Sequence, residues 1–180
     1  GLRAGESVLV TGASGGVSTM AIQIARMVGA EVFAVTSGPD NVERARALGA
    51  HRVYDRHAGD FGKALWKDTG KRGVDVVLDS VGQGLWPALL RALAPCGRLV
   101  TFGATTGALG ETEIRLVFWR QLSILGSTMG SPAEFREVMG HVFAGRLGPV
   151  ISDILPLEEV ASAHRRLEAG EVFGKLVIRP

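Results

Sequence analysis

The sequence predicts a doubly wound α/β domain, a parallel sheet of six main strands with helices on both faces. Three observations carry that prediction. Short apolar runs alternate with amphipathic stretches up to about residue 150, and such alternation calls for a parallel sheet with crossover helices. The first run, within Ser7-Val-Leu-Val-Thr-Gly-Ala-Ser-Gly-Gly-Val-Ser18, breaks directly into small residues and then into a helical pattern. Glycine or hydroxyl residues also stand at the carboxyl ends of the first, second, fourth and fifth strands.

Taken in order, Val8 to Val10 is short and apolar enough for a buried strand. The helix after the glycine turn begins at Gly16. Val17, Met20, Ala21, Ile24 and Val28 stand at helical spacing along it and predict one apolar face toward the sheet. Gly29-Ala30 stops this helix, and Glu31-Val-Phe-Ala-Val-Thr36 is the second strand. The resulting βαβ unit has the length of about 30 residues that a phosphate-binding unit needs. Asp40 to Leu48 is a short helix closed by Gly49-Ala50, Arg52 to Asp55 the third strand, and Asp60 to Thr69 a helix capped by Asp60.

Gly73-Val-Asp-Val-Val-Leu-Asp79 is apolar enough to be a fourth strand buried on both faces. Leu85 to Ala94 follows as a helix with Pro87 in its first turn, then Gly97 to Gly103 as the fifth strand. Thr105 to Gly110 is a loop, Glu113 to Gln121 a short helix and Ser123-Ile-Leu-Gly-Ser-Thr128 the sixth strand. Ser131 caps a helix from Pro132 to Ala144. The tail differs: a strand at Ile151 to Leu155, a helix at Leu157 to Ala169 and a last strand at Lys175 to Ile178. The expected division is residues 1–150 for the main domain and 151–180 for a separate terminal segment.

A chain of 180 residues and 19.0 kDa suits one domain with a real core. With 46% hydrophobic and 21% charged residues it is a globular composition, and a net charge of +2 argues for neither a nucleic acid nor a membrane surface as partner. No apolar run is long enough for a spanning helix or a secretory leader. The single cysteine, Cys96, excludes an internal disulfide, fits a reducing cytoplasm and is expected to be a small packing residue. His51, His57, His141 and His164 are scattered without metal-ligand spacing, so no metal is expected in this chain. There is no Gly-x-Ser-x-Gly elbow, and the only tyrosine, Tyr54, has no lysine at the spacing of a Tyr-x-x-x-Lys pair. Gly1 stands where an initiator Met would, as in a processed chain or a piece of a longer protein.

Small residues between a strand and a helix let a pyrophosphate reach backbone N–H groups at the helix N-terminus. Gly12, Ala13, Ser14, Gly15, Gly16 and Val17 are therefore candidate phosphate residues, against the plainer reading of a structural turn. No Gly-Lys-Ser/Thr follows, which excludes a P-loop. Ser18 stands where a third glycine usually permits the tightest helix–strand contact. The other strand ends add Thr36 and Ser37, Asp79, Ser80 and Val81, and Phe102, Gly103 and Thr105 as candidate cofactor residues. An NAD site places an acid at the end of the second strand, about 20 residues after the glycines, to accept the ribose 2′-hydroxyl. Thr36 holds that place, so NADP(H) is favoured over NAD(H), with Ser37, Arg44 and Arg56 as candidates for the 2′-phosphate.

With these residues in view, the chain resembles the cofactor-binding part of the medium-chain dehydrogenase/reductase superfamily, nearest its quinone oxidoreductase and zinc-type alcohol dehydrogenase branches. The resemblance rests on Gly5-Glu-Ser-Val-Leu-Val-Thr-Gly12, Gly15-Gly-Val17, Ala47-Leu-Gly-Ala50, Val74 to Gly82, Pro95 to Gly103, Arg120 to Thr128 and Phe173 to Ile178. It implies a Rossmann fold and hydride transfer between a nicotinamide cofactor and a quinone, enone or carbonyl/alcohol substrate. It also implies a separate catalytic domain, absent here, that holds the catalytic residues and any zinc and toward which the tail returns.

By position, Gly15, Gly16 and Val17 would face the pyrophosphate, Ser37 and Arg44 the adenosine ribose, and Arg56 the adenine. Ser80, Val81, Phe102, Gly103 and Thr105 would flank the nicotinamide half. Asn41 replaces the family's frequent basic residue after the second strand. The resemblance further implies a homodimer through the Ser123 to Thr128 edge. Three other readings stand beside it. Enoyl reductase domains of polyketide synthases share the fold but usually carry Asn where this chain has Asp79. An S-adenosylmethionine-dependent methyltransferase would share the Leu93 to Leu99 stretch, yet Val10-Thr11 and Thr36 lack the acids it wants. The third is a nucleotide-binding module without chemistry.

Overall fold

A computed structural model describes residues 1–180. The chain alternates β1 (Ser7–Val10), α1 (Gly16–Val28), β2 (Glu31–Thr36), α2 (Pro39–Ala47), β3 (Arg52–Asp55), α3 (Phe61–Asp68), β4 (Val74–Asp79), α4 (Trp86–Ala92), β5 (Leu93–Thr101), α5 (Ile114–Trp119), β6 (Ser123–Gly126) and α6 (Pro132–Phe143). All neighbouring pairs are parallel in the order β3-β2-β1-β4-β5-β6. The order reverses after β1, which makes the space beyond the carboxyl ends of β1 and β4 the topological switch point where ligands bind in such sheets.

Alternation along the strands feeds two cores. Val8 and Val10 point to one face with Ile22 and Ala25 of α1 and Ala45 of α2. Leu9 points to the other, with Leu65 of α3 and Leu89 and Leu90 of α4. Helix caps are as the sequence suggests. The Asp60 carboxylate accepts the Lys63 amide at 3.1 Å, and Ser131 and Glu134 form a reciprocal capping box.

Four expectations need correction. The buried face of α1 is Ser18, Thr19, Ile22 and Ala25, while Val17 is 57% exposed. Close approach of helix to sheet selects small side chains there: Ser18 Oγ donates to the Thr11 carbonyl at 2.8 Å and so buries its hydroxyl satisfied. α4 ends at Ala92 and β5 starts at Leu93, because Ala94 precedes Pro95 and residues before proline avoid the helical region. β6 ends at Gly126, one hydrogen bond (Ser127 N–H to the Thr101 carbonyl, 2.9 Å) marking the last contact of the ladder. Cys96 does not pack inside; it is exposed within β5, at φ 62°, where the pairing with β4 is interrupted.

The tail forms β7 (Ile151–Pro156), a 3-10 turn (Leu157–Glu159), α7 (Val160–Glu168) and β8 (Lys175–Arg179). β7 and β8 pair parallel in a sheet of their own. The tail is nevertheless fastened to the glycine turn. The Gly174 amide donates to the Ser14 carbonyl at 2.7 Å, and the Lys175 amide to the Val150 carbonyl at 2.9 Å. Gln23 on α1 exchanges two hydrogen bonds with the Gly148 backbone, at 2.9 and 3.0 Å. Phe173 is buried in the core beside α1 and α2.

Candidate functional site

A crevice of about 530 Å³ opens across the carboxyl ends of β1, β2 and β4. Gly12, Ser14, Gly15, Thr36, Ser37, Arg56, Ser80, Val81 and Thr105 line it, as the sequence suggests. Leu167, Glu168, Ala169 and Gly170, at the end of α7, form its outer wall, with Val35, Asn41, His57, Leu85 and Thr106 completing the lining. Strand-end logic finds most of these positions, but nothing local in the sequence points to the α7 wall.

The glycine turn is built for close approach. Gly12 adopts φ 54°, and a Cβ there would stand 3.1 Å from Ser80 Oγ. The Gly15 amide closes the turn onto the Gly12 carbonyl at 2.8 Å. α1 starts without a side-chain cap and with no acid in its first turn, so its amino end is an uncompensated positive pole beside the crevice. Ala13 lies beneath this surface, fully buried, with its amide donating to the Val35 carbonyl at 3.0 Å. Gly16 is covered by the Lys175 side chain; a Cβ at Gly16 would meet Lys175 Cδ at 2.6 Å.

At the end of β2, Thr36 is 3% exposed and its hydroxyl has no hydrogen-bond partner in the chain. A buried hydroxyl left without a partner is costly, and this one adjoins the crevice. Ser37 and Asn41 continue from the crevice into a recess of about 250 Å³ that also holds Arg44, Asp40 and Glu171. The Arg44 guanidinium lies 5.7 Å from the Phe173 ring centroid. The Arg56 guanidinium donates to His57 Nε2 at 3.2 Å. Asp55 nearby is held below the usual carboxylate range by hydrogen bonds from the His57 and Gly38 amides.

Asp79 does not reach the crevice: it is fully buried and its carboxylate accepts the Thr11 hydroxyl (2.8 Å) and the Val81 (3.0 Å) and Gly82 (3.1 Å) amides. Phe102 and Gly103 line a neighbouring open cavity of about 460 Å³ with Ala104, Gly126, Ser127 and Thr128. A further cavity, of about 530 Å³, lies between α3, α4 and α5, away from the strand carboxyl ends. Its Arg120 is committed to the Leu93 carbonyl at 2.9 Å and to the face of Trp66, so it is a packing feature.

This arrangement has a counterpart in known proteins. A family model described as zinc-binding dehydrogenase matches residues 16–144. The chain belongs to the zinc-binding dehydrogenase family. Its six-stranded sheet is the Rossmann fold of the medium-chain dehydrogenases and reductases. It is 39% identical to a phthioceranic/hydroxyphthioceranic acid synthase of Mycobacterium tuberculosis, covering 98% of this chain and 9% of that protein. It is 30% identical to a 2-haloacrylate reductase of a Burkholderia species, covering 99% and 57%. Among solved structures, an NAD-dependent alcohol dehydrogenase superposes with a TM-score of 0.93 at 40% identity, covering 99% and 52%. The crotonyl-CoA carboxylase/reductase AntE in complex with NADP gives 0.93 at 28% identity, covering 98% and 50%. The chain thus spans about half the length of the solved relatives.

Despite the family's name, no group of three or more His, Cys, Asp or Glu side chains in this chain could hold a metal ion. A zinc site does not fit these residues. No helix is long and apolar enough to cross a membrane.

Proposed function

We propose that this chain is the NADP(H)-binding domain of a reductase that delivers hydride to a carbon–carbon double bond conjugated to a carbonyl group. The observation that carries the cofactor is the end of β2: a buried, unpartnered Thr36 hydroxyl where an NAD site would want an acid. Ser37 and Arg56 face the same crevice, and Arg44 stands in the recess beside it. A 2′-phosphate is welcomed by hydroxyls and guanidinium groups and repelled by a carboxylate. Support for the substrate class comes from the relatives, since 2-haloacrylate and crotonyl-CoA are both conjugated alkenes.

In this reading the turn from Gly12 to Gly15 and the amino end of α1 bind the pyrophosphate. Arg56 and Ser37 hold the 2′-phosphate, and Ser80, Val81 and Thr105 orient the nicotinamide ribose. The bound cofactor supplies the hydride. Phe102 and Gly103 shape the floor of the adjoining cavity. The catalytic groups and the rest of the substrate pocket come from outside this chain, and residues 151–180 form the segment that leads back toward them. A second reading, the enoyl reductase domain of a polyketide synthase, is favoured by the 39% identity to the mycobacterial synthase. It keeps the same reaction class and changes only the carrier of the enoyl thioester.

β6 is an edge strand whose four residues are all exposed, Ile124 and Leu125 among them, so pairing of two copies along it would complete a continuous sheet. Sedimentation of wild type against Leu125→Lys tests that dimer, and a wild-type monomer would refute it. The lone thiol suits a reducing cytoplasm, which cell fractionation would check.

Calorimetric titration tests the cofactor. NADPH should bind at least about tenfold more tightly than NADH, a difference of about 1.4 kcal/mol. Arg56→Ala should erase that margin. Equal affinity for both in the wild type would remove the 2′-phosphate assignment, and binding of S-adenosylmethionine alone would overturn the oxidoreductase reading.

A further inference from the structure

Every main-chain polar group of the loop from Ser80 to Gly82 is engaged within the protein. From below, the Val81 and Gly82 amides donate to the Asp79 carboxylate at 3.0 and 3.1 Å. The Ser80 amide donates to Thr11 Oγ1 at 3.2 Å, and that hydroxyl in turn donates to Asp79 at 2.8 Å. From above, the Ser80 carbonyl accepts the Thr105 amide and hydroxyl at 3.3 and 2.9 Å, and the Val81 carbonyl accepts those of Thr106 at 2.9 and 2.8 Å. The Gly82 carbonyl takes the Leu85 and Trp86 amides. One buried carboxylate therefore ties the residue that follows β1, where the glycine turn starts, to the loop after β4.

We propose that Asp79 is a positioning residue for the cofactor: it holds the glycine turn and the Ser80–Gly82 loop at one fixed spacing, so that both ends of the dinucleotide are met at once. This rests on the dinucleotide reading of the crevice. Both carboxylate oxygens accept, one from Thr11 and Val81 and the other from Gly82. Asp79→Ala leaves the Thr11 hydroxyl and the Val81 and Gly82 amides without their acceptor. Losing these three hydrogen bonds would let the loop drift, and the turn with it.

The test compares two ligands on the whole chain, NADPH and adenosine 2′-monophosphate, in wild type and Asp79→Ala. NADPH spans both elements, whereas the monophosphate needs only the end of β2. The expected result is an NADPH dissociation constant raised about 10- to 100-fold with the monophosphate affinity unchanged. Unchanged NADPH affinity in a folded variant would overturn the inference. Equal weakening of both ligands would overturn it too, since Asp79 would then be a general support of the fold. If Asp79→Ala does not fold, Thr11→Val, which removes one donor to the same carboxylate, takes its place in both titrations: selective loss of NADPH supports the inference, and no loss or equal loss overturns it. A wild-type chain that binds neither ligand would overturn the dinucleotide reading itself, and this inference with it.

Discussion

Replacing Gly174 by Ala attacks the point where the tail is fastened to the glycine turn. Gly174 sits at φ 92°, and an added Cβ would run into the Val150 carbonyl oxygen and meet Val150 Cγ1 at 2.8 Å. A residue with a side chain costs about 1–2 kcal/mol in this left-handed region. Relieving the clash must also displace the Val150 carbonyl, which accepts the Lys175 amide at 2.9 Å, and loosen the Gly174 amide from Ser14. Each such bond contributes about 1 kcal/mol net. The total is about 3 kcal/mol, or a fall in Tm of about 6–12 °C for a chain of this size. Scanning calorimetry reads the shift, and amide exchange should show Gly174 and Lys175 losing protection while β1 and β4 keep theirs. NADPH affinity should fall as well, because Ser14 and the α7 wall face the same crevice. A Tm within about 2 °C of wild type, less than 1 kcal/mol by the same conversion, would refute this account of the tail.

Two other outcomes are expected. Thr36→Val removes the unpartnered hydroxyl and keeps the shape, so Tm should hold or rise by an amount worth up to about 1 kcal/mol, while NADPH binding weakens; a clear loss of stability would show that the hydroxyl has a partner within the protein. Acid sensitivity should reside at the amino ends of β1 and β4. Burial alone would raise the Asp75 carboxyl, but the Arg72 guanidinium and the Ser7 amide and hydroxyl outweigh it and hold the group at about 2, below its ordinary 3.8. Glu6, bonded to Arg98, is likewise held low. A carboxyl depressed in the folded chain stabilises it above pH 3.8 and loses that contribution as pH falls toward 2. Asp75→Asn should flatten the fall in Tm across that window, removing about 2 kcal/mol; an unchanged slope would place the acid sensitivity elsewhere.

The strands and helix caps were legible because their causes are local. Asp60 and Ser131 announce their helices by residue type and spacing, and the apolar runs of β1, β2 and β4 need both faces covered. The orientation of α1 was not legible. Apolar periodicity points to Val17, Met20 and Ile24, whereas closeness to the sheet selects Ser18, Ile22 and Ala25, with Ser18 bonded to a strand-end carbonyl. Strand-end reasoning found the crevice floor from Gly12 to Thr105. It overreached at Asp79, whose carboxylate is turned inward by contacts to Thr11, Val81 and Gly82 that join distant stretches of sequence. The wall from Leu167 to Gly170 was invisible for the same reason: it arrives through the Gly174–Ser14 bond, which no local pattern encodes.

Cys96 is the only thiol in the chain, and it lies exposed near the start of β5, whereas the crevice opens at the opposite ends of the strands. A maleimide dye or spin label attached there would sit on a firm backbone, since the Cys96 amide donates to the Arg120 carbonyl at 2.8 Å. The protein thus carries its own reporter position, at arm's length from the ligand and requiring no engineered cysteine. Distances from that label to a fluorescent nicotinamide would locate the cofactor within the fold by spectroscopy alone.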